Sequence, residues 1–170
     1  MAPSTQDLYR YQENFLREQD GIALYRAMAK AETDPSRAEI FEKLAQAEER
    51  HAARWARLLK TYGAAIPAYT PGWRILLLGW LSRRFGTQHI LPLVTGLESR
   101  DQDVYRGQIE ARGIPAEERS HMRTLRAMQR HGEDRPMSSL RPSHGLTLNC
   151  FDVTGSVLTC TATRNPSASM

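Results

Sequence analysis

The chain has 170 residues, of which 41% are hydrophobic and 25% charged, and its formal net charge is +4. This length and composition suit one soluble domain with a core of its own and room for an appendage. Residues 1–20 are polar and charged, so we expect no secretory leader. The longest apolar stretch, 73–81, is interrupted by Arg74 and Gly79 and is far shorter than the roughly 20 residues of a membrane span. We therefore expect a cytoplasmic protein.

The basic residues and the cysteines each argue against a class of function. The strongest basic run is only Arg83-Arg84. Nucleic-acid binding needs a clustered basic stripe with interleaved aromatic residues, so we expect no nucleic-acid partner. Cys150 and Cys160 lack Cys-x-x-Cys spacing, and we interpret them as free thiols in a reducing cytosol. A rubredoxin-type iron site, which takes four cysteines, is excluded.

Two long amphipathic helices are predicted first, at about 4–31 and 35–62. Between them lies a stop-and-start signal in which Asp34 caps the second helix and Pro35 takes its first position. Each predicted inward face contains a charged residue, which is costly unless it is paired or bound to metal. Spaced three and four residues apart, these faces are Leu8, Tyr11, Phe15, Glu18, Ile22, Tyr25 and Ala29, then Phe41, Leu44, Glu48, His51, Trp55, Leu58 and Tyr62.

A long connection, residues 64–86, precedes two further helices predicted at about 87–112 and 115–130, with Pro92 near the first turn of the former. The connection contains a short apolar helix at about 73–85. We expect it to pack over the bundle rather than to form a dimer contact or rest on a membrane. The apolar residues of the short helix are Ile75, Leu76, Leu78, Trp80 and Leu81, and the inward faces of the later helices are Leu91, Val94, Glu98, Asp101 and Tyr105, then Glu118, His121, Leu125 and Met128.

The four long helices predict an all-α, ferritin-like four-helix bundle, with a long crossover connection that carries a short helix between helices 2 and 3. The two halves echo each other. Glu18 and Glu98 are each followed seven residues later by a tyrosine and then an arginine, and each half then supplies one Glu-x-x-His motif. We interpret this pattern as a duplicated helical hairpin about an approximate two-fold axis.

The two Glu-x-x-His motifs are the strongest functional signal. A di-iron carboxylate bundle takes one Glu from each of two helices and one Glu-x-x-His from each of the other two. Carboxylate and imidazole ligands suit iron or manganese, and two divalent ions balance four carboxylates. A solvated helix face explains one chance motif, but not two on core faces. The predicted ligands of two iron ions, or of manganese, are Glu18, Glu48, His51, Glu98, Glu118 and His121.

Other polar residues carry weaker signals. Tyr25 and Tyr105 lie two turns from the lone glutamates and are the candidate catalytic residues, predicted to contact ligands or relay a radical. The alternative is a pair of core tyrosines with satisfied hydroxyls. Asp101 either bonds a ligand histidine from outside or faces solvent. The remaining polar neighbours are expected to point elsewhere or to be exposed, namely Glu49, Glu117, His89, His131 and His144.

The composition changes from residue 137, after which there is no Lys and no Glu. Residues 152–163 look weakly strand-like, but no partner strand is predicted. We expect a bundle over 1–132 and an irregular or disordered tail over 133–170.

These motifs resemble the rubrerythrin-related, ferritin-like domain of the membrane-bound ferritin family over about residues 7–130. In that family a vacuolar-iron-transporter-like membrane domain follows. The resemblance implies iron or manganese binding, Fe(II) oxidation and support of metal export, and it carries the ligand roles to the six residues above. The stretches that carry it are Arg17-Glu18-Gln19-Asp20 with Tyr25, Ala47-Glu48-Glu49-Arg50-His51, Arg83-Arg84-Phe85-Gly86-Thr87 through Leu91-Pro92, and Glu117-Glu118-Arg119-Ser120-His121.

No transporter helices follow the predicted bundle here, whereas the full-length family is membrane-associated. We hypothesise that the tail comes from a truncated or frame-shifted reading frame. This predicts membrane-helix sequence in another frame beyond the Met137 codon.

The leading interpretation is a bundle that binds two iron ions and reacts with dioxygen or peroxide, as a ferroxidase-type oxidoreductase in iron homeostasis or export. One alternative is a rubrerythrin-like peroxide reductase that needs an external electron donor. Another is a non-catalytic module that senses or delivers metal for a transporter membrane domain. A structural bundle without metal is the last, and a homodimer is left open.

Overall fold

The computed structural model describes residues 3–105 and 107–133, together with 149–151 and 157–159. For 98–103, 131–133 and the two short segments it describes the backbone alone. The chain divides into two compact units, Met1–Asp134 and Arg135–Met170, which are called here the helical unit and the C-terminal unit.

The helical unit contains five α-helices, which confirms the prediction of a helical fold. Within it, α1 packs against α2, α4 packs against α5, and α3 contacts both α1 and α4. The elements are α1 (Thr5–Ala31), α2 (Pro35–Thr61), α3 (Trp73–Phe85), α4 (Thr87–Val104), a 3-10 turn (Ile109–Ala111) and α5 (Ile114–Glu133).

Side-chain caps explain where the first two helices begin. The Ser4 hydroxyl accepts from the Asp7 N–H at 3.2 Å, and the Asp7 carboxylate accepts from the Ser4 N–H at 2.9 Å. This reciprocal capping box satisfies two of the donors that a helix start leaves unpaired. Asp34 caps α2 by accepting from the Ser36 N–H at 2.9 Å, and Pro35 takes the first helical position, as predicted.

The third helix begins at Thr87, as predicted, but the prediction of its C-terminal end is wrong. Helix α4 ends at Val104 rather than at about residue 112, and the chain continues through the 3-10 turn. Gly107 and Gly113 flank this turn with φ of 84° and 98°, a region that residues with a Cβ rarely adopt. Pro92 is the sixth residue of α4, just after the first turn of the helix.

The core consists of two hydrophobic clusters, and three helices each contribute to both. On α1, for example, Tyr11 belongs to one cluster and Tyr25 to the other, with Glu18 between them in sequence. Predicted ligands also separate the apolar residues of the two clusters on the other two helices, namely Glu48 and His51 on α2 and Glu118 and His121 on α5. Apolar burial at both ends of three helices therefore holds a polar segment between them inside the protein.

Helix α3 is only partly packed. Ile75, Leu78 and Leu81 lie against the core, but Leu76 is 60% exposed and Trp80 is 50% exposed. The expectation that this whole apolar set packs over the bundle is wrong for those two residues. None of the helices in the described part of the chain combines the length and the apolar character needed to cross a bilayer.

Within the C-terminal unit, Asn149–Phe151 (β1) and Val157–Thr159 (β2) pair as an antiparallel hairpin with Cys150 opposite Leu158. The expectation that 152–163 has no partner strand is therefore wrong, because β1 precedes it and pairs with its strand-forming residues. Cys160 lies outside the described residues, so the reading of the two cysteines as free thiols stays a prediction.

Candidate metal centre

Five of the six predicted ligands come together in the interior of the helical unit. Glu18 lies on α1, Glu48 and His51 on α2, and Glu118 and His121 on α5, and none of these residues is more than 7% exposed. Each Glu-x-x-His pair spans three residues, so its two side chains lie on the same helix face. The sixth predicted ligand, Glu98, lies on α4, and its side chain falls outside the described part of the structure.

The Nδ1 atoms of both histidines face the carboxylates. His51 Nδ1 lies 3.3 Å from Glu118 Oε1, 3.4 Å from Glu48 Oε2 and 3.5 Å from Glu18 Oε2. His121 Nδ1 lies 3.1 Å from Glu48 Oε1 and 3.6 Å from Glu118 Oε2. Glu48 and Glu118 thus each direct one oxygen toward His51 and the other toward His121. Glu18, Glu48, His51 and Glu118 offer one donor atom each, all within 4.8 Å of one another.

Several of these atoms lack the partner that burial demands. Glu48 Oε1, His51 Nδ1 and His121 Nδ1 are buried and form no hydrogen bond, although they approach each other closely. Buried polar atoms in native proteins are almost always hydrogen-bonded, and an unpaired one costs about 1–3 kcal/mol. Oxygen and imidazole donors that converge without bonding to each other are the arrangement that a cation satisfies, so the residues fit a metal ion.

Two aromatic side chains hold the carboxylate of Glu18. The Tyr105 hydroxyl donates to Glu18 Oε1 at 2.7 Å, and the Trp55 indole N–H donates to the same oxygen at 3.1 Å. These bonds leave Oε2 directed at His51. Tyr105 therefore contacts a predicted ligand, and Tyr25 is fully buried; a catalytic role for either tyrosine stays a prediction.

One residue that the sequence reasoning placed outside the site contacts a ligand. Glu117 was expected to point elsewhere, but its Oε2 lies 3.1 Å from His51 Nε2. Because the carboxylate can only accept, Nε2 is the donor in this bond, and Nδ1 is the ring nitrogen that could bind a metal once its own proton is lost. The sequence held no signal that singled out Glu117, because Glu49 is likewise an acid beside a predicted ligand. Glu49 pairs with Arg26 and takes no such part.

The other weakly signalled residues are not brought into the site by the described structure. His89 is exposed, and its ring bonds the Phe85 carbonyl at 2.8 Å. The side chains of Asp101, His131 and His144 lie outside the described residues.

The electrostatics of the site favour protons on the imidazoles when no metal is bound. Burial lowers the pKa of His51, but the neighbouring carboxylates of Glu118, Glu18 and Glu48 outweigh it, and the net pKa is raised. Burial also lowers the pKa of His121, yet Glu118 and Glu48 raise it to about 9. Burial and the nearby Glu48 raise the pKa of Glu18. Burial alone would raise the pKa of Glu48, but the two imidazoles lower it. Metal binding must therefore displace protons.

Gly21 makes room for Glu48. A Cβ on Gly21 would lie 3.0 Å from Glu48 Cγ, closer than the ordinary contact range of 3.4–4 Å. Gly21 sits three residues after Glu18 on α1, so a methyl group there would enter the site between two predicted ligands.

Buried carboxylates and histidines that project inward from facing helices are an arrangement that could hold metal in a helical protein. Residues 12–69, about a third of the chain, match the family model described as Rubrerythrin. No curated protein and no solved structure matches the chain. The matched region carries Glu18, Glu48 and His51, and its family together with the buried cluster suggests di-iron carboxylate binding. The contribution of Glu118 and His121 rests on the structure, because both lie beyond the matched residues.

Proposed function

We propose that the helical unit is a ferritin-like bundle that binds two iron ions and oxidises Fe(II) with dioxygen or peroxide, in support of iron homeostasis or export. The observation that carries the proposal is the division of two carboxylates, Glu48 and Glu118, between two imidazoles. The crossover topology and the kinship with membrane-bound ferritins belong to this proposal, and the motif stretches support them.

Two ions explain the geometry better than one. Glu48 and Glu118 would each contribute to holding two ions, with His51 as a ligand of one and His121 as a ligand of the other. The described carboxylates of Glu18, Glu48 and Glu118 supply three negative charges. Glu98 on α4 would supply the fourth and balance two divalent cations. A second metal position near His121 is therefore part of the proposal, with manganese as the other metal that these donors suit.

The chain contributes by positioning the ligands, supplying negative charge and keeping water out of the site. Iron, when bound, would supply the redox chemistry. Tyr105 and Trp55 fix one oxygen of Glu18 and so orient the other, and Glu117 sets the tautomer of His51. The ligands are almost fully buried, so these hydrogen bonds act at low dielectric, where they are strongest.

A peroxide reductase is the second candidate, and the Rubrerythrin match over residues 12–69 favours it. Within such a function the same residues would bind the same ions, but peroxide would be the preferred oxidant and an external protein or small molecule would supply electrons. A non-catalytic module that delivers iron to a transporter would bind metal without oxidising it.

Metal analysis followed by stopped-flow oxidation tests the proposal. We expect about two iron ions per chain, removable by chelation, and rapid oxidation of bound Fe(II) on mixing with dioxygen. Glu48→Ala and Glu118→Ala should lower iron content and oxidation rate together. Glu42→Ala, which removes an exposed carboxylate from the same helix as Glu48, is the matched control.

The outcomes separate the candidates. Oxidation by peroxide but not by dioxygen would support the reductase, and tight binding without oxidation would support the delivery module. Iron content that is absent, or unchanged in both alanine variants, would refute metal binding at this site.

A further inference from the structure

Helix α3 exposes large apolar side chains along one side, which we call the α3 outer face. Trp73 is 69% exposed, Leu76 60%, Trp80 50% and Leu77 43%. These positions are spaced by three, four and seven residues, so they lie on the same side of the helix. Scattered apolar residues on a protein surface are ordinary, but a contiguous patch with two tryptophans marks an interaction site.

The opposite side of α3 is already used for packing. Ile75 and Leu78 lie against the core, and Gly79 is buried so closely against α1 that a Cβ would lie 3.0 Å from Ala27 Cβ. The helix is therefore held rigidly by its inner side. Folding of the helical unit does not bury the outer face in the part of the unit that the structure describes.

The charged residues of α3 itself all have one sign. Arg74, Arg83 and Arg84 are exposed on α3, and residues 50–97 contain no Asp or Glu. The guanidinium groups of Arg74 and Arg84 lie over the rings of Trp73 and Phe85, at 5.5 Å and 5.2 Å from the ring centres. The apolar side chains and the arginines thus lie next to each other on the surface. A matching partner should therefore offer an apolar region and negatively charged groups beside it.

A second copy of the chain fits this surface poorly. A two-fold dimer places the same patch against itself, so three arginines would meet three arginines, and α3 has no carboxylate of its own to pair them. An anionic bilayer meets both requirements. Tryptophan and leucine side chains enter the boundary between headgroups and acyl chains, while arginines extend along the surface to the phosphates. A helix of 13 residues is about 20 Å long, which suits lying in the plane of the interface.

We propose that the α3 outer face docks on the surface of an anionic lipid bilayer. Trp73, Leu76, Leu77 and Trp80 are the residues that enter the interface, and Arg74, Arg83 and Arg84 contact lipid phosphates. This proposal is independent of the iron chemistry, because none of these residues is a candidate ligand.

Co-sedimentation of the full chain with vesicles tests it. We expect the protein to bind vesicles with 30% phosphatidylglycerol in phosphatidylcholine far more strongly than vesicles of phosphatidylcholine alone. Added salt should weaken the binding. Trp73→Ser with Trp80→Ser should lower the partition coefficient at least tenfold. Arg83→Gln with Arg84→Gln should lower it roughly thirty-fold on the anionic vesicles, the factor expected for two cations near such a surface.

Matched controls come from exposed residues elsewhere in the helical unit. Ile109→Ser removes a side chain that is 81% exposed, and Arg57→Gln with Arg126→Gln removes two exposed arginines from α2 and α5. These controls should bind as the unchanged chain does. Brominated lipids should quench the fluorescence of Trp73 and Trp80, whereas the buried Trp55 should remain unquenched.

Two results overturn the proposal. The first is vesicle binding that is absent, or that falls equally in the α3 variants and their controls. The second is a dimer in light scattering that the two tryptophan substitutions dissociate, with no vesicle binding by the unchanged chain. That result would make the outer face a contact between copies.

Discussion

Replacing Gly21 by Ala is the most direct test of how the helices shape the metal centre. The new methyl group would stand 3.0 Å from Glu48 Cγ, so Glu48 has to move by about 0.4 Å to reach ordinary contact at 3.4 Å. Its two oxygens lie 3.1 Å from His121 Nδ1 and 3.4 Å from His51 Nδ1. A shift of that size disturbs both halves of the site. Residues that support ligands typically change metal affinity by 10–100-fold when altered.

The effect on the metal-free protein has the opposite sign. Alanine favours a helix interior over glycine by about 1 kcal/mol, and this gain is offset only by the displacement of one flexible side chain. We therefore expect the metal-free Gly21→Ala protein to be as stable as the unchanged chain or slightly more stable. Metal at 100 times its dissociation constant adds about 2.7 kcal/mol of stability to the unchanged chain. A tenfold loss of affinity reduces this to about 1.4 kcal/mol.

Gly96→Ala is the matched control, because Gly96 also lies within a helix and a Cβ there would meet no atom within 4 Å. Mn(II) and anaerobic Fe(II) titrations by calorimetry, with urea unfolding at each metal concentration, would measure both quantities. We expect weaker metal binding in Gly21→Ala alone. Equal affinity in the two variants would refute the inference that Gly21 makes room for a metal-binding Glu48.

Three further substitutions test separate parts of the structure. Glu117→Ala should weaken Mn(II) binding about tenfold, because His51 loses the acceptor that holds its tautomer, whereas Glu49→Ala should not; equal effects in a calorimetric titration would argue against a supporting role for Glu117. Tyr105→Phe should destabilise the metal-free protein by about 1 kcal/mol in urea unfolding, because Glu18 loses a buried hydrogen bond, and Tyr9→Phe, at a side chain that is 65% exposed, should change nothing. Burial raises the pKa of Glu32, but hydrogen bonds from Thr87 and Arg37 outweigh it and lower the pKa below 4.5. The stability that Glu32 contributes is therefore present above pH 4.5 and lost as the pH falls through the lower folded value, so Glu32→Gln should destabilise the protein at pH 7 by more than at pH 3; an equal difference at both pH values would contradict this.

The helices and most of the site residues could be predicted because they follow local rules. The three- and four-residue spacing placed Glu18 on the same face of α1 as Tyr25. It placed Glu48 and His51 on the same face of α2 as Trp55. All five side chains are buried. Polar residues within an apolar stripe can be buried at low cost only if they find a hydrogen-bonding, ionic or metal partner in the interior. The same pattern predicted the burial of Glu118 and His121 on α5.

The contact between Glu117 and His51 could not be read from the sequence. Helical spacing states which side of α5 a residue lies on, but not which neighbouring helix stands beside that side. Glu117 is adjacent in sequence to an inward residue, so a helical wheel rotates it out of the core. In the structure, α2 lies close enough to α5 for the Glu117 carboxylate to lie 3.1 Å from the His51 ring. This contact results from packing between helices that are distant in sequence.

Helical spacing also could not predict the early end of α4, which affects more contacts than the position of Glu117 does. A helix continued from Val104 to residue 112 would carry Tyr105 and Glu110 past α1 in regular steps. Instead the turn between Gly107 and Gly113 folds this segment back onto the first helix. There Tyr105 bonds Glu18 at 2.7 Å, Gln108 bonds Asn14 at 2.8 Å, and Glu110 bonds Tyr11 at 2.9 Å.

These three contacts join α1 to a segment more than 85 residues away, along the same face of α1 that carries Glu18. Asn14 and Tyr11 are themselves almost fully buried, so their polar atoms require the partners that the turn supplies. The break in α4 therefore does more than end a helix. It replaces about two turns of regular helix by a segment whose side chains bond α1. Glu18 is thereby held in place without metal, which would lower the conformational entropy lost if it binds a metal as proposed.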